Sequence, residues 1–280
     1  MKSIVARSGY LLVLSGTVAL GLLLALRGVA PELTSSASFL GALFATSALE
    51  RIAPRRADWH PTRAELGGDA LFLALGVVTQ RAVHGLVAVI ATTALARALP
   101  RPLLSAPQPA LAAVAFLAGD LAKYLLHRAA HENRWLWRFH AAHHAPARMY
   151  AANGIRLHPA NLAWNVLPDL IFAGLLGLEP RWLAVIASVR SAIGVLQHAN
   201  FVTAPSVLDR VLSTPNLHQW HHSIVLAEAN ANYGSALIVW DALFGTRTLP
   251  AGTPPVLGIR EPHPRGIVGQ LARPFSCRTP

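Results

Sequence analysis

At 280 residues, 53% hydrophobic and only 13% charged, the chain falls well short of the about 25% charged residues of an average soluble domain. Its net charge of +11 comes from arginines that punctuate the ends of apolar runs. That placement fits membrane topology and excludes a nucleic-acid binder, which would gather them on one polar face. A single cysteine, Cys277, excludes an internal disulfide, a four-cysteine zinc site and a thiolate iron–sulfur cluster within the chain.

Residues 8–26 are uncharged, apolar and long enough to cross a hydrocarbon core of about 30 Å, with Lys2 and Arg7 on the N-terminal side. A cleaved signal peptide is the competing reading. The run is longer than the usual signal core and lacks a small-x-small exit, so a retained anchor is favoured. Residues 35–49 form a second, shorter apolar run. Arg51, Arg55, Arg56 and Arg63 then crowd a loop holding Pro54 and Pro61, and a basic loop of this kind reads as cytoplasmic. Residues 1–64 therefore read as a transmembrane hairpin followed by a basic cytoplasmic loop.

Residues 67–99 are apolar again but interrupted by Gln80, Arg81 and His84. Either one long span is broken there or two half-length segments meet. Arg81 fits a functional residue at membrane depth and a snorkelling residue at the interface equally well. Pro100, Pro102, Pro107 and Pro109 mark the turn on the far side, and residues 110–126 bring the chain back.

That return delivers a dense histidine pattern. His127 and His131 stand four apart, His140, His143 and His144 make an H-x-x-H-H, and His218, His221 and His222 make a second. On a helix these offsets place side chains on one face, as a helical metal site requires. With 13 histidines in the chain, a given H-x-x-H-H would arise by chance on the order of 0.03 times. His60, His84 and His263 are isolated and read as ordinary histidines. Lys123, Arg128, Arg134, Arg138 and Arg148 surround the first cluster, which puts it on the cytoplasmic side. Trp135 and Trp137 suit a membrane–water interface.

Asp120 and Tyr124 share the helical stripe of His127 and His131, so Asp120 is placed to accept an imidazole N–H and fix its tautomer. Residues 160–199 read as an apolar hairpin with its tip near Gly177. Its two feet carry His158 and His198, on the side of the clusters, which makes ten candidate metal ligands. Asn161, Asn165 and Asp169 line one stripe of its first helix. After Asn200 the hydropathy falls, through an amphipathic segment that ends in the second cluster. The last 30 residues, rich in Pro, Gly and Arg, read as a cytoplasmic tail (residues 251–280).

Ten neutral ligands are too many for one ion and suit two. Imidazole alone does not choose among zinc, copper, iron and nickel. Two such ions would carry a large positive charge, which Asp120, Glu228 and Asp241 are the carboxylates to offset from behind the ligands. Asn216, two residues before His218, is grouped with them. No flavin fingerprint and no haem-attachment motif is present, so electrons must come from outside.

The ordered set of His127/His131, His140/His143/His144 and His218/His221/His222 resembles the histidine boxes of the fatty acid hydroxylase and sterol desaturase superfamily. Trp135-Leu-Trp-Arg-Phe-His140, Arg156-Leu-His-Pro159, His198-Ala-Asn200, Thr214-Pro-Asn-Leu-His218, Asn232-Tyr-Gly234 and Trp240-Asp-Ala-Leu-Phe-Gly-Thr246 are similar to segments of its bacterial members. The resemblance spans roughly residues 65–250. It implies an all-α integral membrane helical bundle with a cytoplasmic histidine-rich cap, in a bacterial inner membrane. It further implies a non-haem enzyme with two iron ions, or zinc taken up in their place. Such an enzyme uses O2 and external electrons from a ferredoxin, cytochrome or reductase to hydroxylate or desaturate a lipid. A membrane zinc hydrolase is the first alternative, disfavoured by the surplus of histidines and the lack of H-E-x-x-H. A metal transporter or storage protein is the second, disfavoured because the histidines collect at one face rather than at mid-membrane.

Overall fold

The computed structural model describes residues 2–93, 106–254, 256–264 and 266–276, with no side-chain description for 88–93. The proline turn at Pro100 and Pro102 and the thiol of Cys277 lie outside the described residues. The longer helices are α1 (Lys2–Leu26), α2 (Pro31–Ile52), α3 (Arg63–Thr93), α4 (Gln108–Glu132), α5 (Arg134–His144), α6 (Pro159–Leu175), α7 (Pro180–Gln197) and α8 (Pro215–His221). The architecture is all-helical, and the only β pairing among the described residues is three isolated bridges. Among the described residues, three helices are long and apolar enough to cross a membrane: α1, the Arg63–Val87 part of α3, and α4. Gln80, Arg81 and His84 do not break α3, which runs through them as one helix.

Small side chains decide how α1, α2 and α7 pack together. α1 buries Tyr10, Val13, Thr17, Gly21 and Ala25, and α2 buries every fourth residue from Thr34 through Ser38, Ala42 and Thr46 to Glu50. Gly21 is required by close approach, since a Cβ there would lie 2.3 Å from Ser188 Oγ of α7. The Ser188 hydroxyl in turn donates to Ala184 O at 2.8 Å and shares a hydrogen bond with Ser38 Oγ at 2.9 Å. Small residues that let helix backbones close up, joined by hydroxyl hydrogen bonds, are the packing of helices in lipid, where no hydrophobic drive brings them together.

Buried charge ties α4, α6 and α7. Arg190 of α7 pairs with Asp120 of α4 and, at 3.0 Å, with Asp169 of α6, while Lys123 of α4 pairs with Asp169. Two cations and two carboxylates thus neutralise one another, which burial away from water demands. Asp120 is fully buried and also accepts from Ala236 N (3.1 Å), Leu237 N (3.0 Å) and Trp240 Nε1 (3.0 Å), so it fastens the chain that follows α8 to the helical bundle. At the same end, Glu50 of α2 accepts from Ala151 N (2.7 Å) and Asn200 N (2.8 Å). The tail closes over this end, with Gly258 N donating to His222 O and Trp137 Nε1 donating to Glu261 Oε1 at 2.6 Å.

Candidate metal centre

α4 carries His127 and His131 in its last two turns. A one-residue break at Asn133, whose Oδ1 accepts from Trp135 N and Leu136 N, starts α5 and aims His140, His143 and His144 back at them. α8 opens with Pro215, a residue suited to the first helical position, and carries His218 and His221 with His222 at its C-cap. His198 caps the C-terminus of α7.

Nine of these imidazoles collect into two groups whose ligand atoms lie within 4.8 Å of one another. One holds His127, His131, His140, His144 and His221, and the other holds His143, His198, His218 and His222. The two boxes exchange members. His140 and His144, one turn apart on α5, serve the five-histidine group while His143 serves the other. His218 and His222 serve the four-histidine group while His221 crosses over. The groups stand side by side, with the His144 and His222 rings stacked 4.2 Å apart.

The ring tautomers make these groups a fit for cations. His127 Nδ1 lies 2.8 Å from Tyr233 O, and His221 Nδ1 lies 2.8 Å from Ala231 O. A carbonyl oxygen only accepts, so both Nδ1 atoms carry the proton and both Nε2 atoms are bare lone pairs. Those two Nε2 atoms lie 2.9 Å apart. His140 Nδ1 meets Asn161 Oδ1 at 2.8 Å, and its Nε2 lies 3.0 Å from the Nε2 atoms of His127 and His144. In the second group His198 Nδ1 donates to Gly194 O, leaving its Nε2 facing that of His218 at 3.1 Å. Facing lone pairs at such distances repel unless a positive ion sits among them. Burial also keeps the rings neutral: it pushes His140 down to about 3, with the neighbouring His127 adding to the effect. It likewise holds His143, His144, His218, His221 and His222 well below the ordinary histidine value, with neighbouring histidines contributing. The neutral ring is the metal-binding form.

His158 stands outside both groups. Its Nδ1 accepts from Ala160 N at 3.1 Å as the N-cap of α6, and its Nε2 faces Leu271 O at 3.3 Å. The residues expected behind the ligands hydrogen-bond elsewhere. Asp120 is saturated by the donors described above and takes no imidazole. Tyr124 OH meets Thr246 Oγ1 at 2.9 Å, and Asn216 Oδ1 accepts from Arg55 and Thr203. Glu228 accepts from Ser223. Asp241 acts one step removed: it accepts from Tyr233 N (2.8 Å) and Gly234 N (2.7 Å), fixing the turn whose Tyr233 carbonyl holds His127. The same turn supplies Ala231 O to His221 and Asn230 Oδ1 to His131, the latter at 3.4 Å. Asn232 adopts φ 57° within it, a left-handed conformation that asparagine tolerates, and its side chain is tied to Leu217 O and Thr248 N.

A family model described as fatty acid hydroxylase matches residues 112–246, the stretch that holds all nine clustered imidazoles. Ornithine lipid hydroxylase OlsE of Rhizobium tropici is 32% identical over 255 residues, covering 85% of this chain and 74% of that protein. The chain belongs to the fatty acid hydroxylase family. Alkylglycerol monooxygenase of Homo sapiens is 29% identical to this hydroxylase-family chain over 134 residues, 47% of it and 29% of the human protein. Very-long-chain aldehyde decarbonylase GL1-11 of Oryza sativa subsp. indica is 27% identical over 134 residues, 47% of the chain and 50% of the plant protein. No solved structure matches significantly. Family membership makes this chain an oxidoreductase of the membrane histidine-box lipid hydroxylases and monooxygenases.

Proposed function

We propose that the two histidine groups hold a pair of iron ions and that the protein inserts one oxygen atom of O2 into a hydrocarbon chain of a membrane lipid. The observation that carries this is the pair of adjacent, largely buried cages of bare imidazole nitrogens at one end of membrane-spanning helices. His127, His131, His140, His144 and His221 would hold one ion, and His143, His198, His218 and His222 the other. Such a pair supplies O2 reduction and cleavage of an unactivated C–H bond. The chain's own part is to keep the imidazoles neutral, to orient them through Tyr233 O, Ala231 O, Asn161 and Gly194 O, and to exclude bulk water by burial. No carboxylate joins either group among the described residues, which disfavours hydrolytic zinc with an adjacent carboxylate base.

The names of the hydroxylase and monooxygenase relatives support hydroxylation over desaturation, and that of the 32%-identical relative supports a lipid with an amino-acid headgroup. The arginine-rich loops support a cytoplasmic site, with lipid arriving from the bilayer. The test is lipid analysis of a host expressing the protein beside one expressing His222→Ala. A lipid class one oxygen heavier, present only with the parent protein, is expected. A class two hydrogens lighter would replace hydroxylation by desaturation, and unchanged lipids would overturn the reading.

A further inference from the structure

The two groups differ in what surrounds them. Among the described ring contacts, His143, His198, His218 and His222 meet only other imidazoles. The five-histidine group instead has the Trp137 indole 5.2 Å from His131, 5.5 Å from His144 and 6.1 Å from His140, centroid to centroid. Tyr233 also lies 5.2 Å from His131, but it is buried. Trp137 is half-buried, as are His127 and His131, and its ring extends this group toward the surface. Its indole N–H is fixed by the Glu261 carboxylate, which is held in turn by Arg273 at 3.5 Å.

Residues two apart on a helix face opposite ways. Trp137 turns in, and Trp135 turns out with 56% of its surface exposed. The guanidinium groups of Arg134 and Arg138 lie 5.1 Å and 4.7 Å from the Trp135 ring. α5 itself carries no carboxylate, so its outer face presents the two arginines, with Arg138 also donating to Pro274 O. An exposed tryptophan between arginines is a residue set favoured at protein interfaces, and its sign fits an acidic partner.

We propose that Trp137, positioned by Glu261, is the residue through which electrons reach the five-histidine centre, delivered by an acidic one-electron carrier of the ferredoxin class seated on Arg134, Trp135 and Arg138. The inference rests on the reading of the groups as a redox metal pair. Per hydroxylation, two reduced carriers are each oxidised by one electron. Those two electrons and two protons convert one atom of O2 to water, while the other atom enters the new C–OH group. An indole with a delocalised π system, in contact with three ligand rings, couples to the centre better than the saturated side chains around it.

The test uses the full chain in lipid nanodiscs, loaded with iron and mixed anaerobically with a reduced plant-type [2Fe–2S] ferredoxin, whose oxidation is followed by its visible absorbance. Dithionite serves as a small reductant that needs no docking. In Trp137→Leu, with the iron content of the parent, ferredoxin oxidation should slow about tenfold while reduction by dithionite stays within about twofold. Should that variant lose iron, Trp137→Met, a flexible side chain that fills the space without a π system, should show the same selective slowing. Arg134→Glu with Arg138→Glu should weaken ferredoxin binding about tenfold at low salt, less as salt rises, in the metal-free chain as well. Ferredoxin oxidation at the parent rate in both Trp137 variants would overturn the electron path. Unchanged ferredoxin binding by the double variant, with lost binding of anionic lipid vesicles, would assign the patch to headgroups and overturn the docking. A parent protein reduced by neither reagent would instead overturn the redox pair itself.

Discussion

The two histidine groups are built to different standards. In the five-histidine group, His127, His140 and His221 each give an Nδ1–H to an acceptor at 2.8 Å, and His131 faces Asn230. In the four-histidine group His198 has such an acceptor, while the Nδ1 atoms of His143 and His218 are buried without a hydrogen-bond partner among the described residues. An acceptor behind the ring fixes its tautomer and raises its basicity, so the first group is the more rigid and the stronger donor set. The second offers one ligand fewer and rings freer to tilt. A division of labour follows from that asymmetry. On the proposed reading, the better anchored centre, next to Trp137, suits electron uptake, and the less crowded one leaves more coordination positions for the reaction.

The largest effect that can break this comparison comes from removing one ligand from each group in turn. His221→Ala takes a ring from the anchored group and His222→Ala takes its neighbour from the other. Each should abolish lipid turnover and lower the bound metal from about two ions per chain to about one, since the change confines itself to one cage. Metal analysis of the two purified variants checks it. Two ions retained in either, with turnover intact, would dissolve the assignment of ligands to groups.

A smaller effect would sharpen it. Gly154, in the short helical turn Ala151–Ile155, packs against His198, and a Cβ at Gly154 would lie 2.7 Å from His198 Nδ1 and 2.8 Å from its Cγ. A single methyl should therefore displace that ring and leave the five-histidine group, with which Gly154 makes no such contact, untouched. Gly154→Ala is expected to reduce turnover about tenfold through misplacement of one ligand. It should weaken only the more loosely held metal, seen as one of two ions becoming removable by mild chelation. Loss of both ions together would show that the cages are a single cooperative unit.

These ligand groups were half legible in the sequence. The spacing of the boxes marks the histidines because i, i+3 and i+4 offsets share a helix face. Division between two groups is not marked, because adjacent residues such as His143 and His144 or His221 and His222 point into different cages. The anchors are invisible for another reason: Tyr233 O, Ala231 O and Gly194 O are backbone atoms, and any residue carries a carbonyl. Asp120 shows the limit of stripe reasoning. It shares a helical stripe with His127, but its oxygens are taken by Arg190 and by backbone N–H groups more than a hundred residues further on, which no local pattern announces. The N-terminal helices are legible as apolar runs, whereas their seam of Gly21, Ser38 and Ser188 is not, since small residues in such runs are common.

The smallest expected effect concerns the tenth histidine. His158 sits in the same H-P context as a ligand could, at the foot of the α6–α7 hairpin, yet its Nδ1 is spent on Ala160 N and its Nε2 points to Leu271 O. Phe139 and Phe275 pack on its ring at 5.0 Å and 6.2 Å, so the imidazole works as a cap and as a wedge beneath the tail. Replacing it by alanine removes a helix N-cap, which typically costs about 1 kcal/mol. His158→Ala should therefore lower the midpoint of thermal unfolding by a few degrees while retaining about two metal ions per chain and most of the turnover. His158→Asn, which restores a capping oxygen, should recover much of that loss. Were His158→Ala to lose an ion, the imidazole would have to swing away from Ala160 into one of the cages when metal binds. The four-histidine group, one ligand short of its neighbour, would be the place for it.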